Sequence, residues 1–215
     1  MNKFLIILSL CLLTACASRP QTHYFTLGVF DNTRKTLDNT IDEPAPPAIK
    51  LPASTNLGIG PIKLPSMLNR PGIVTHKTGS AVQVASHNLW AGRLKEDFTL
   101  VVAELIAEHL GISEVVTEPW NTRFRPEFQL QMDVQHFSGQ LGGKVRFKVS
   151  WVLSAASGQE KLLSQTDDIT LQSNGASYEA YVSTLNRLLT KFSEKSVKTV
   201  IAAQILKHSK NKPQS

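Results

Sequence analysis

Taken as apolar and polar positions, the chain divides into an apolar opening, a polar and proline-rich stretch, and a body of alternating and helical patterns. Residues 4–13 form an apolar run broken only by Ser9 and preceded by Lys3. A run of about 10 apolar residues behind one positive charge has the proportions of a signal peptide. It is too short for a membrane span, which takes about 20 residues. Tyr24-Phe25-Thr26-Leu27 is aromatic and β-prone and predicts a first strand. Residues 31–56 are polar and then proline-rich, and Pro44, Pro46, Pro47 and Pro52 exclude a central strand or helix there. That stretch reads as a long surface loop, or as a spacer ahead of a domain that begins near Leu57.

The body carries clearer periods. Residues 57–62 predict a strand ended by Pro61 or Pro65, and residues 73–76 and 81–85 predict short strands around the turn signal Thr78-Gly79-Ser80. Phe98, Val101, Val102, Leu105, Ile106 and His109 recur at helical spacing, with Gly111 as the stop. Residues 115–117 suit a short strand. Phe128, Leu130, Met132 and Val134 then alternate with Gln129, Gln131, Asp133 and Gln135. After a glycine-rich loop, Val145, Phe147, Val149, Trp151 and Leu153 alternate with polar residues from Lys144 to Ser150. These predict two antiparallel strands, each with one wet face. A third strand at about residues 162–171 follows the turn Ser157-Gly158. Tyr178, Val182, Leu185, Leu189, Phe192 and Ser196 mark a long amphipathic helix. The expected fold is therefore α/β (α+β): a single two-layer domain over residues 24–207, with a mixed or antiparallel sheet packed against two main helices at about 95–110 and 177–207. No internal repeat is present.

Both cysteines, Cys11 and Cys16, lie at the apolar opening. Leu13-Thr14-Ala15-Cys16 resembles the bacterial lipobox: an aliphatic residue, two small residues, then cysteine. The resemblance implies a diacylglyceryl group on the Cys16 thiol, cleavage between Ala15 and Cys16, and an acyl chain such as palmitate on the new amino terminus. The alternative is an ordinary secretory signal cut nearby, with Cys16 there by chance. Residues 1–15 are then the signal, Cys11 is discarded with it, and residues 16–23 form a short tether. Three acyl chains, at about 0.8 kcal/mol per buried methylene, hold a protein on a bilayer essentially permanently. Ala17 stands where an aspartate favours inner-membrane retention, so the expected location is the outer membrane, with the body facing the periplasm. Eight residues separate Cys16 from Tyr24, a reach of about 26–29 Å when extended, which keeps the body close to the membrane.

Charge and candidate chemistry narrow the picture further. Cleavage removes Lys3 from the 23 basic residues, leaving 22 against 17 acidic ones, a net +5. Part of the excess sits in the tail at residues 208–215 and just before it, which reads as a solvated terminus or as a contact for anionic lipid or an acidic partner. With Cys16 acylated no disulfide can form, so packing must hold the body together. A periplasmic location, and the absence of a basic patch interleaved with aromatics, exclude nucleic acid as the partner class. "SGQLGG" before Lys144 lacks the Ser or Thr and the helix of a phosphate loop, and reads as a hairpin turn. His23, His76, His87, His109, His136 and His208 lack metal-motif spacing, and there is no Gly-x-Ser-x-Gly elbow. Asp167 and Asp168, adjacent on a strand, point to opposite faces and cannot share a catalytic task. No catalytic residue, metal or cofactor is expected beyond the acyl groups. Trp151 reads as core; Trp90 and Trp120, in loop-like stretches, read as core or as interface anchors.

Tyr24-Phe25-Thr26-Leu27, "LGIGPIKLPSMLNRPGIVTH" at residues 57–76 and "HNLWAGRLKEDFTLVVAELIAEHLG" at residues 87–111 together resemble the PqiC/YmbA family of transport auxiliary lipoproteins. The chain departs from that pattern at Asn69, where an aspartate often stands, and at Gly92-Arg93, where an acidic residue and a proline often follow. The resemblance implies a non-enzymatic accessory lipoprotein of an MCE-type lipid transport system. Such a protein docks the periplasm-spanning MCE-domain protein at the outer membrane and supports membrane integrity. A symmetric partner would allow several copies to surround it as a homo-oligomeric ring. Arg70, Pro71 and Trp90 are the candidate loop contacts, with turn geometry and packing as their other reading. The competing function is a lipoprotein that scaffolds or activates another envelope machine, for cell-wall synthesis or secretion.

Overall fold

Among the described residues the elements run β1 (His23–Phe25), β2 (Asn56–Lys63), a 3₁₀ turn (Ser66–Leu68), β3 (Gly72–His76), β4 (Val82–Trp90), α1 (Leu94–Leu110), β5 (Glu114–Thr117), β6 (Phe128–Gly139), β7 (Lys144–Ala155), β8 (Glu160–Gln172) and α2 (Tyr178–Phe192). The structure is a computed structural model that describes residues 20–28, 55–77, 79–121, 124–155 and 158–195, with positions 201, 204, 205, 207 and 208. The proline-rich stretch at 31–54 and the tail beyond residue 208 lie outside those residues.

The two alternating patterns pair as expected. β6 and β7 run antiparallel, matching Leu130 with Leu153, Met132 with Trp151 and Val134 with Val149. β8 adds antiparallel to β7. In β7 every second residue from Val145 to Ala155 is buried, so the inner face is continuous. A register shift between Val134 and His136 keeps Phe137 on that inner face, opposite Phe147. The "SGQLGG" segment closes the hairpin: the Gln140 amide donates to the Lys144 carbonyl (3.0 Å) and that of Gly143 to Gln140 (3.1 Å).

Both helices pack on this inner face through aromatic rings. Phe98 of α1 meets Phe137 edge-on at 5.1 Å, and Phe192 of α2 meets Phe147 edge-on at 5.4 Å. Edge-to-face contact places the positive ring edge against the negative π face. Gly111, at φ 64°, ends α1 in the left-handed conformation, its N–H bonded to the carbonyls of Ala107 and Glu108. Ser177 caps α2 by accepting from the Ala180 amide (3.1 Å). α2 passes into a π-type turn at residues 193–195, and the described positions beyond are also helical.

The two-layer α+β class holds, with the strands divided between two sheets. The larger has the order β5-β2-β6-β7-β8, with β2 parallel to both neighbours; the smaller has the order β1-β4-β3. Pro65 and Pro71 flank the 3₁₀ turn and lack the N–H that would continue a ladder, so the chain leaves the large sheet after Lys63. Three expectations need correction. Of the two prolines expected to end β2, Pro65 stands just beyond it, whereas Pro61 sits exposed inside the strand, where pairing with β6 shifts register between Ile59 and Ile62. Gln129, expected on the wet face, is buried because its side-chain amide donates to the Gly60 carbonyl (2.8 Å) that this shift leaves without a ladder partner. Residues 87–90 are not a loop before α1 but the end of β4, paired in parallel with β1 so that Tyr24 opposes Leu89 and Phe25 opposes Trp90.

Candidate functional site

Three segments converge at one end of the molecule: the end of β2, the turn from Ser66 to Pro71, and the start of α1. Backbone bonds fix their relation. The Trp90 amide donates to the Pro71 carbonyl and the Ala91 amide to the Phe25 carbonyl, each at 2.7 Å. Thr26 Oγ1 donates to Asp97 Oδ2 (3.1 Å), tying the residue after β1 to the first turn of α1. Between the segments lies a cleft of about 570 Å³. Its floor is apolar, from Ile62, Leu68 and Leu94, all buried. Lys63, Arg70, Arg93 and Lys95 surround it, and no carboxylate is among its lining residues. No side chain caps the α1 amino terminus that opens on this end.

The three candidate contact residues separate here. Arg70 and Pro71 are exposed on the cleft wall. The Trp90 side chain is 6% exposed and belongs to the core, so its part in this region is to hold the turn through its amide. Sequence reading did not connect Lys63, Arg93 and Lys95 with Arg70. The signal available was a single cation in each of the segments "PIKLP" and "NRPG" and a pair in "GRLK", which only the fold brings together. Trp120 is half-buried and stacks obliquely with Phe124 at 6.2 Å. Ala15 and Cys16 lie outside the described residues.

Other polar groupings are structural. Asp167 and Asp168 do face opposite ways. Buried Asp167 accepts from Trp151 Nε1 (2.7 Å), while exposed Asp168 takes both a 2.7 Å bond from Arg146 Nε and a second bond from Nη2. The Arg146 fork holds the Asp168 carboxyl below the ordinary carboxylate range. Beside them, burial and then the charges of Arg146 and Lys148 push His136 below its usual value. His76 Nε2 lies 2.8 Å from Ser138 Oγ. This pair resembles part of a nucleophilic triad, but no described carboxylate orients the other ring nitrogen and neither residue lines a described cleft. Among the described residues no group of three or more His, Cys, Asp or Glu side chains is placed to hold a metal.

The sequence profile of the ABC-type transport auxiliary lipoprotein components matches residues 39–195. The chain belongs to this family. The auxiliary lipoprotein is thus a transport-associated component carried in the envelope on a membrane anchor, consistent with its resemblance to PqiC/YmbA. Among solved structures, it is similar to an uncharacterized protein at TM-score 0.65 and 17% identity, covering 84% of this chain and 99% of that one. A protein from Xanthomonas campestris of the family DUF330 matches at TM-score 0.61 and 19% identity, over 74% of this chain and 91% of that one. At these identities the likeness concerns the fold. No curated protein matches the auxiliary lipoprotein. None of its described helices is long and apolar enough to cross a membrane.

Proposed function

We propose that the auxiliary lipoprotein is anchored by acyl chains on Cys16 in the inner leaflet of the outer membrane and serves an MCE-type intermembrane phospholipid transport system without catalysing a reaction. The observation that carries this reading is the family profile across residues 39–195, preceded by a lipobox-like Leu13-Thr14-Ala15-Cys16. The mechanism is positional. The tether fixes the body at the membrane, and the end of the molecule where β1 joins β4 offers exposed loops, Arg70 and Pro71 among them, to the MCE-domain protein. A symmetric MCE assembly would accept several copies as a ring.

The anchor is tested with Cys16→Ala expressed from the native locus. The variant should lose its acyl chains by mass spectrometry of the amino-terminal peptide, leave the outer-membrane fraction, and reproduce the detergent sensitivity of a strain lacking the protein. A variant that stays in the outer membrane and keeps the strain resistant contradicts the reading.

A further inference from the structure

The cleft between the turn at residues 66–71 and the start of α1 carries uncompensated positive charge. Of its four cations, Arg93 has a carboxylate partner, Glu96, at 3.1 Å. Lys63, Arg70 and Lys95 have none among the described residues. Of the acids of this flank, Glu96 and Glu118 line a neighbouring hollow of about 530 Å³ together with Arg93 and Lys95, and Asp97, beside Gly92, accepts from Thr26 Oγ1 (3.1 Å). Like charges gathered at one concave place repel one another, and the repulsion is relieved when an anion occupies the site. The volume falls within the range of small-molecule sites, and the lining combines an apolar floor with a few convergent polar groups.

We propose that this cleft holds the phosphate of an anionic phospholipid head group, with Lys63, Arg70, Arg93 and Lys95 around the phosphate oxygens and the glycerol and first acyl methylenes against Leu64 and Pro71, which are accessible in its lining. Lysine and arginine both bind phosphate through charge-assisted hydrogen bonds, arginine as a planar fork. The accessible apolar lining, Leu64 and Pro71, distinguishes an amphiphile from a free anion, because inorganic phosphate has nothing to place there. The position suits a membrane ligand. Ala91, two residues before the cation Arg93, bonds to Phe25 at the end of the tether's first strand, so the cleft sits beside the point where the anchored segment joins the body. That last step rests on the anchoring of Cys16; the binding chemistry does not.

The test uses the purified full-length protein in a non-ionic detergent, titrated calorimetrically with dihexanoyl phosphatidylglycerol, dihexanoyl phosphatidylcholine and inorganic phosphate. The anionic lipid should bind, the zwitterionic lipid and inorganic phosphate at least tenfold more weakly, and added salt should weaken the binding. Arg70→Glu with Lys95→Glu should lower affinity for the anionic lipid at least tenfold. Both side chains are exposed, so the fold is retained, which near-ultraviolet circular dichroism of the tryptophans checks. Lys144→Glu with Lys161→Glu, the same change of charge at exposed positions on the large sheet, should leave affinity unchanged. Equal binding of the two lipids, inorganic phosphate as tight as the anionic lipid, or equal loss in both double variants overturns the proposal. Loss of the outer-membrane anchor would leave these affinities intact, so the two readings fail separately.

Discussion

Tyr181 joins both sheets and α2 through one hydroxyl. Its side chain is 1% exposed; it donates to the Val74 carbonyl of β3 and accepts from the Gly139 amide of β6, each at 3.0 Å. Burial pushes the phenol far above its ordinary value, so it remains a neutral donor at any working pH. Tyr181→Phe keeps the ring but strands two backbone groups, and should lower stability by about 1–3 kcal/mol. The urea midpoint should fall with an unchanged slope; an unaltered midpoint contradicts this role. His136 gives a pH-dependent counterpart. It is faced by Arg146 and Lys148 of β7, Asp168 of β8 and His76 of β3, and its pKa is lowered from 6.5 by burial first. With the folded value depressed, the unfolded chain takes up its proton first as pH falls. Stability is therefore full above pH 6.5 and declines as pH drops through the folded pKa. The decline of the urea midpoint between neutral pH and about pH 5 should be smaller in His136→Gln than in the native chain. Asp168, also depressed, acts only in the carboxylate range and leaves that window clear.

At the scale of elements, α1 is coupled to the large sheet through Phe98, which is fully buried and touches Phe137 and Phe147. Phe98→Ala should destabilise by about 3–5 kcal/mol and shift the thermal midpoint accordingly; a loss below 1 kcal/mol would mean that α1 is not held by this ring. How far the fold could be read from the sequence follows from how each element is buried. β6, β7, α1 and α2 each expose one face, so their periods show, and Gly111 marks its helix end by a backbone conformation other residues avoid. β4 was read too short because Gln83, Ser86, His87 and Asn88 break its alternation; several of its side chains face solvent on both sides, and pairing with β1 and β3 defines the strand. Pro61 misled in the other direction. A proline commonly stops a strand, but here it occupies an irregularity that Gln129 stabilises from the neighbouring strand, a contact 69 residues away that no local pattern carries. The cleft was legible only at Arg70 and Pro71. Lys63, Arg93 and Lys95 are ordinary surface cations until the turn and the start of α1 are set side by side.

At the scale of the whole molecule, the described residues form a two-layer body that carries the end of β1 and the cationic cleft at one end. Its core is spread over both helices and both sheets, so the body packs as one unit. Membership of the auxiliary lipoprotein family assigns it to a transport machine; the partner is the central claim. The most direct measurement is affinity purification of the lipidated full-length chain from cross-linked envelopes of its own host, with the co-purifying proteins identified by mass spectrometry. The account predicts that an MCE-domain protein is recovered, and that recovery falls sharply when Cys16→Ala releases the bait from the membrane. Recovery of cell-wall synthesis or secretion components with no MCE-domain protein would contradict it.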